Sequence, residues 1–221
     1  LEMTSKIISD YQLLKEFTEN SSHEFQTPIA IIQGKLENML EENNLSQSQM
    51  NSLIEMQSTL SRLSKMTTSL SLLTKIENHE FNNTEKLNLS VILRALLKEY
   101  EELLILKKIT LSMDLAKDIE ISGDRVLVQI MLTNLISNAI RHNIESGKIN
   151  LTLSANTFII WNSGLPTDVN PTYFFERFKK SNQHVNSLGL GLSIVQKIAE
   201  NYKYCISYQV EDDRHILKLN F

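Results

Sequence analysis

Apolar positions recur along the first 80 residues in steps of three and four. They fall at Tyr11, Leu14, Thr18, Ser22, Phe25, Ile29, Ile32, Leu36 and Met39, and this spacing predicts one long helix over residues 5–42 with a single buried seam. The run Glu41, Glu42, Asn43, Asn44 interrupts it. A second seam follows at Leu53, Met56, Leu60, Leu63, Met66, Leu70, Leu73 and Ile76, and Ser46 with Gln49 three positions later reads as a capping box at its start. Two helices with a short link predict an antiparallel hairpin. A lone hairpin covers only part of each seam, so pairing of two copies into a four-helix bundle is expected.

The pattern changes after residue 80. The polar stretch 81–90 reads as a linker. Beyond it an amphipathic helix is predicted over about 91–107, carrying Ile92, Leu96, Leu103 and Leu106. ITLSMDL and IEIS alternate as strands, residues 124–142 read as a second helix, and KINLTLS with TFIIWN read as a strand pair. A glycine-bearing loop leads to a helix at about 190–202, and the tail reads as strand, turn and strand. The fold class expected is α+β: a helical hairpin over 1–80, then a two-layer α/β sandwich over 91–221.

Composition narrows the function classes. The 221 residues carry 22 basic and 26 acidic side chains with no basic block, which argues against nucleic acid as a partner. The single cysteine, Cys205, cannot form an intrachain disulfide, and it reads as a small buried residue in a reducing compartment. No apolar run approaches the roughly 18 residues of a membrane span. The chain starts at Leu1, so it is expected to be the cytoplasmic part of something longer, with any membrane contact through regions outside it.

Candidate chemistry sits at two places. In SSHEFQTPIA, His23 lies one position past the seam residue Ser22, on the flank of the expected bundle. Pro28 has no N–H for the carbonyl of Glu24, so a bend is expected beside the histidine. Taken alone, a flank histidine reads more readily as solvated surface, and a proline kink can simply fit a bundle's curvature. A neutral imidazole has a nitrogen free to attack phosphorus, and the neighbouring Glu24 can accept the proton left on the other nitrogen. In LTNLISNAIRHN, Asn134 and Asn138 share a helix face with Arg141 close to it, although asparagine is a poor helix former. An amide oxygen can bind magnesium without adding charge, and an arginine can neutralise phosphate.

These residues carry a resemblance. HEFQTPI resembles the H box of two-component sensor histidine kinases, H-E-L-R-T-P-L, with Phe17 and Ser22 also matching and Gln26 standing where arginine is usual. The resemblance implies that His23 accepts a phosphoryl group, that Glu24 is the general base, and that Thr27 positions water for dephosphorylation. LTNLISNAIRHN resembles the N box, with Arg141 at its lysine position and His142 at its aromatic one. WNSGLP resembles the G1 box, D-x-G-x-G: Asn162 replaces the adenine-binding aspartate, Gly164 matches, and Pro166 replaces the second glycine. FFERF resembles the F box, with Phe175 and Phe178 as its aromatics, although core packing would also explain them. Lys179 and Lys180 follow it and could reach the γ-phosphate. LGLGLSIV resembles the G2 box from Gly189 through Leu190 and Gly191, with Ser187 in place of its first glycine, and the ten residues before it form the expected lid. ATP and magnesium are the implied cofactors, with Asn134 as the magnesium ligand. A homodimer and a response-regulator receiver domain are the implied partners. Gln26, the altered G1 box and the short lid leave open a phosphatase-biased or pseudokinase core. Two further rivals are a non-kinase ATPase of the same sandwich and a structural adaptor. His79, His142, His184 and His215 show no metal-ligand spacing.

Overall fold

The computed structural model describes residues 24–42, 45–167, 169–179 and 188–221. Two compact units divide the chain, Leu1–Asn78 and His79–Phe221.

In the first unit, helix α1 occupies residues 24–40 and runs through Pro28 without interruption. Helix α2, Gln47–Glu77, opens on the expected capping box: the Ser46 side chain accepts from the Gln49 N–H, and the Gln49 side chain accepts from the Ser46 N–H. Ile29 and Leu36 on α1 and Leu53 on α2 are buried, whereas Phe25, Ile32, Met39, Met56 and Leu63 are exposed in the single chain. The seams of the sequence are therefore only half covered. Tyr11, Leu14, Phe17, Thr18, Ser22 and His23 lie outside the described residues.

The second unit begins earlier than expected. Thr84–Asn88, placed within a linker by its polarity, forms strand β1 and pairs antiparallel with β3, Glu120–Asp124. Only Leu87 of this strand faces inward, fully buried, so the polar sequence conceals a strand with a single core residue. The expected helix over 91–107 is two helices. α3, Leu89–Glu99, starts earlier because the Asn88 side chain caps it by accepting from Val91 N–H. It ends at Tyr100, and α4, Glu101–Leu106, follows with no side-chain cap.

The other elements lie where alternation and periodicity place them. The main sheet has the order β2–β4–β5–β7–β6, from Thr110–Leu115, Lys148–Leu153, Thr157–Ser163, Arg214–Asn220 and Cys205–Glu211. β2 and β4 are parallel; every other pairing in that sheet is antiparallel. Helices α5, Arg125–Arg141, and α6, Gly191–Asn201, pack on each other, and α5 also lies on β5. Leu127, Met131, Leu132 and Leu135 of α5 close the core against Leu151 of β4 and Phe158 of β5, all fully buried. Each such side chain contributes about 2 kcal/mol through removal from water. β4 and β5 bury every second residue, the mark of a sheet with one covered face. Cys205 corrects an expectation: it is exposed, on the edge strand β6 at a position whose side chain faces away from the helices.

Candidate functional site

α5 is the backbone of the site. Asp124 caps it by accepting from Val126 N–H at 2.8 Å and Leu127 N–H at 3.4 Å. Asn134, Asn138 and His142 then follow at intervals of four, so they share one stripe. At 1.5 Å per residue the stripe is about 12 Å long.

One end of the stripe meets the glycine loop. The Asn134 amide donates to Ile130 O at 2.8 Å, which turns its Oδ1 outward. A β-carbon on Gly191 would stand 2.9 Å from that oxygen, so the start of α6 can approach Asn134 only as glycine. Gly189 has φ +69°, a left-handed conformation that glycine adopts without strain. Leu190 between them is buried and anchors the turn. Gly189 O accepts from Phe178 N–H at 2.8 Å, so the chain on either side of residues 180–187 is joined at one point. Backbone N–H groups at the start of α6, an eleven-residue helix, can bind an anion. The lid expected over 179–188 falls mostly outside the described residues, and Lys180 and His184 with it.

The other end meets the close of β5. Asn162 is 3% exposed, and its amide nitrogen donates to Ser163 O at 2.8 Å and His142 O at 3.4 Å. Both neighbours can only accept, so they fix the amide orientation and leave Oδ1 as the acceptor. Gly164 N–H donates to Asp213 O at 2.7 Å, and the position of its missing β-carbon is filled by the His215 ring. His142 caps α5 with its N–H on Asn138 O. Arg141 is exposed in the last turn of α5, where a cation suits the helix dipole. It is close enough to Tyr100 to oppose the rise in that phenol's pKa, which burial chiefly drives.

The F-box residues divide. Phe175, in the 3₁₀ turn Pro171–Phe175, is buried as core, whereas Phe178 is 47% exposed. Lys179 lies 4.4 Å from the centre of the Tyr173 ring and 3.6 Å from the Glu176 carboxylate. Its hydrogen bond to Tyr173, then the charges around it, push its pKa up. Glu24 and Thr27 are exposed on α1, one turn apart, and His23 immediately before them lies outside the described residues.

Sequence reasoning missed Tyr208 and His215. His215 stands directly across the ladder from Asn162, and Tyr208 Oη lies 2.6 Å from His215 Nδ1. Burial pushes the Tyr208 phenol up to about 12. The pairing of β7 with β5 would have exposed the connection, but the alternation of the tail carries no record of which strand it joins.

Among the described residues no group of three histidine, cysteine, aspartate or glutamate side chains could hold a metal by itself. The donor available is the outward amide oxygen of Asn134, a ligand type that suits magnesium shared with phosphate oxygens.

Comparisons with known proteins bear on both units. The His Kinase A (phospho-acceptor) domain model matches residues 13–79, and the histidine kinase-, DNA gyrase B-, and HSP90-like ATPase model matches residues 123–216. Sensor histidine kinase HprS of Escherichia coli (strain K12) is 28% identical across 99% of this chain and 49% of its own length. Heme sensor protein HssS of Staphylococcus aureus (strain MSSA476) is 29% identical across 89% of this chain and 44% of its own length. The chain thus spans about half the length of these relatives. Acinetobacter baumannii histidine kinase AdeS superposes with a TM-score of 0.60 at 25% identity, covering 90% of this chain and 96% of that one. Full-length ShkA in complex with AMPPNP shares the fold, with a TM-score of 0.69 at 19% identity over 92% of this chain and 45% of that one. Two domain models in succession, the sandwich topology and these relatives together place the chain in a family: it belongs to the two-component sensor histidine kinases.

Proposed function

We propose that this chain is the phosphotransfer and catalytic core of a dimeric sensor kinase. It autophosphorylates His23 from Mg-ATP and passes the phosphoryl group to an aspartate on a response-regulator receiver domain. The hairpin over residues 1–80 is the dimerisation and phosphotransfer domain. The ATP-binding domain follows, and because β1 belongs to it the linker shortens to the few residues before Thr84. The core would act on the cytoplasmic side of a membrane sensor. No helix among the described residues is long and apolar enough to cross a membrane.

One observation carries the reading: a single helix, α5, presents an outward amide oxygen to the glycine start of α6 at one end and meets a buried adenine-type acceptor, Asn162, at the other. The nucleotide lies along that stripe, base at Asn162 and Gly164, phosphates at Gly189, Leu190 and Gly191. Asn134 Oδ1 would hold magnesium, which neutralises phosphate charge when bound. Asn138 and Arg141 line the same face, and His142 closes its base end. Lys180, next in the sequence, would reach the γ-phosphate, whereas Lys179 is already engaged with Tyr173 and Glu176. Asn162 Oδ1 accepts from the adenine amino group as a neutral partner, which binds it less strongly than a carboxylate.

His23 attacks the γ-phosphorus with its unprotonated nitrogen. The bond from phosphorus to the β,γ-bridging oxygen breaks, ADP leaves, and Glu24 takes the proton from the other ring nitrogen. Positioning and charge neutralisation supply most of the rate gain. Thr27, four residues after His23 in the sequence, orients water when the phosphorylated regulator is returned to its resting state. The exposed seam residues Phe25, Ile32, Met39, Met56 and Leu63 supply an apolar surface for a second copy.

The test is incubation of the full chain with γ-labelled ATP and magnesium. An acid-labile label is expected. No label with active dephosphorylation of a regulator would instead identify a phosphatase-biased core, and absence of both would reject the reading.

A further inference from the structure

The loop after β5 is held by a side-chain pair that no H, N, F or G box contains. Gly164 donates its N–H to Asp213 O at 2.7 Å, and His215 Nε2 lies 2.8 Å from Leu165 O. A carbonyl can only accept, so Nε2 is the donor to Leu165 O, and the corresponding tautomer presents Nδ1 as an acceptor. Tyr208 Oη, 2.6 Å away, donates to it. The Tyr208 ring is itself set between His215 and Phe174, with both centroids at 5.9 Å. Two paired strands and the 3₁₀ turn therefore fix one imidazole, and the imidazole fills the space beside Gly164. His215 is also the ladder partner of Asn162. Pro166, with no N–H, follows immediately, so this loop is clamped through Leu165 where the second glycine of the motif is missing.

We propose that His215, oriented by Tyr208, is a positioning residue that sets loop 164–166 beside Asn162 and so determines how tightly the adenine end of the nucleotide is held. This rests on the reading of the α5 stripe as an ATP site. The phosphate end lies at Gly189–Gly191 on another element, so the effect is confined to the base.

The experiment uses the full chain, with Mg-ATP and Mg-tripolyphosphate as calorimetric probes and autophosphorylation as the kinetic readout. His215→Leu is expected to weaken ATP binding and raise KM by about 10-fold, the worth of one lost hydrogen bond and its ordering. kcat at saturation and tripolyphosphate binding should stay within about twofold, because neither depends on the base. His215→Gln keeps a donor within reach of Leu165 O and should recover most of the loss. Tyr208→Phe keeps the ring packing and removes the donor, and a loss of about threefold in ATP affinity is expected. Unchanged ATP binding in His215→Leu overturns the proposal, as does an equal loss for tripolyphosphate. If His215→Leu fails to fold by circular dichroism, Tyr208→Phe decides on the same criterion. A wild-type chain that binds tripolyphosphate but not ATP refutes the base site itself, a result distinct from unchanged ATP binding in the variants.

Discussion

The two units solve the same problem differently. The sandwich closes its own core: Leu127, Leu132, Leu135, Leu151 and Phe158 are all inaccessible to solvent within one chain. The helical unit does not, because Phe25 is 56% and Met56 53% exposed at positions where its sequence repeats apolar residues. A helix stripe left uncovered over that length costs free energy that the proposed second copy would recover. The sandwich closes without help, as the proposed nucleotide-holding unit, whereas the helical unit leaves apolar surface for the proposed second copy. That division makes separate damage to each unit the means of testing the comparison.

The largest effect is expected from His23→Gln. Labelling from γ-labelled ATP should vanish, a fall of more than about 1000-fold for loss of the nucleophile. ATP affinity measured by calorimetry should be unchanged, since the nucleotide stripe belongs to the other unit. Persistent label on the variant would reject His23 as the acceptor.

Next is Leu135→Ala, in the middle of α5. Removing a fully buried leucine costs about 2–5 kcal/mol in unfolding free energy. Urea unfolding followed by the fluorescence of Trp161, which lies on β5, should report the loss. The association constant of the dimer should not move, because Leu135 lies in the sandwich. A change in association of equal size would show that the units are not independent.

Met56→Glu is the converse and smaller change. The exposed methionine costs little within the single chain, but a charge on the seam would have to be buried in the dimer. Sedimentation should show dimer affinity weakened by about 10-fold or more, with the Trp161 unfolding transition in place. If Met56→Glu dimerises as tightly as the parent, this part of the seam faces solvent and the expected bundle register is wrong.

The same contrast explains what could be read from the chain. Long helices with caps were legible: the Ser46–Gln49 box and the 124–142 helix occur where their residues predict. So were the alternating strands of the main sheet, because one covered face imposes a period of two. β1 was not legible, since a strand with Leu87 as its one inward side chain has no period to display. The break at Tyr100 was also hidden, because apolar residues continue across it at helical spacing. At the site, Asn134 could be named because asparagine is a poor helix former, and Asn162 and the glycines because WNSGLP and LGLGLSIV resemble the family's G boxes. His215 could not, because its importance comes from the pairing of β7 with β5, a long-range register that local pattern does not encode.

The smallest expected effect is a slope. Burial raises the pKa of Tyr202 and Tyr204, and lifts Tyr208 from 10.0 to about 12. All three lie in the sandwich. Between the unfolded and folded values of Tyr208 the native chain keeps a proton that the unfolded chain has released. Its contribution is therefore whole below about pH 10 and is lost as pH rises toward 12. The urea midpoint of the sandwich should fall across that window, and Tyr208→Phe, which has no proton to lose, should fall less steeply. At neutral pH the same variant should lose a little stability, because His215 Nδ1 then lacks its donor. The two curves should accordingly converge as pH rises. Parallel curves would mean that the Tyr208 phenol is as free to ionise in the fold as in the unfolded chain, and the sandwich would not be the more tightly sealed of the two units at that edge.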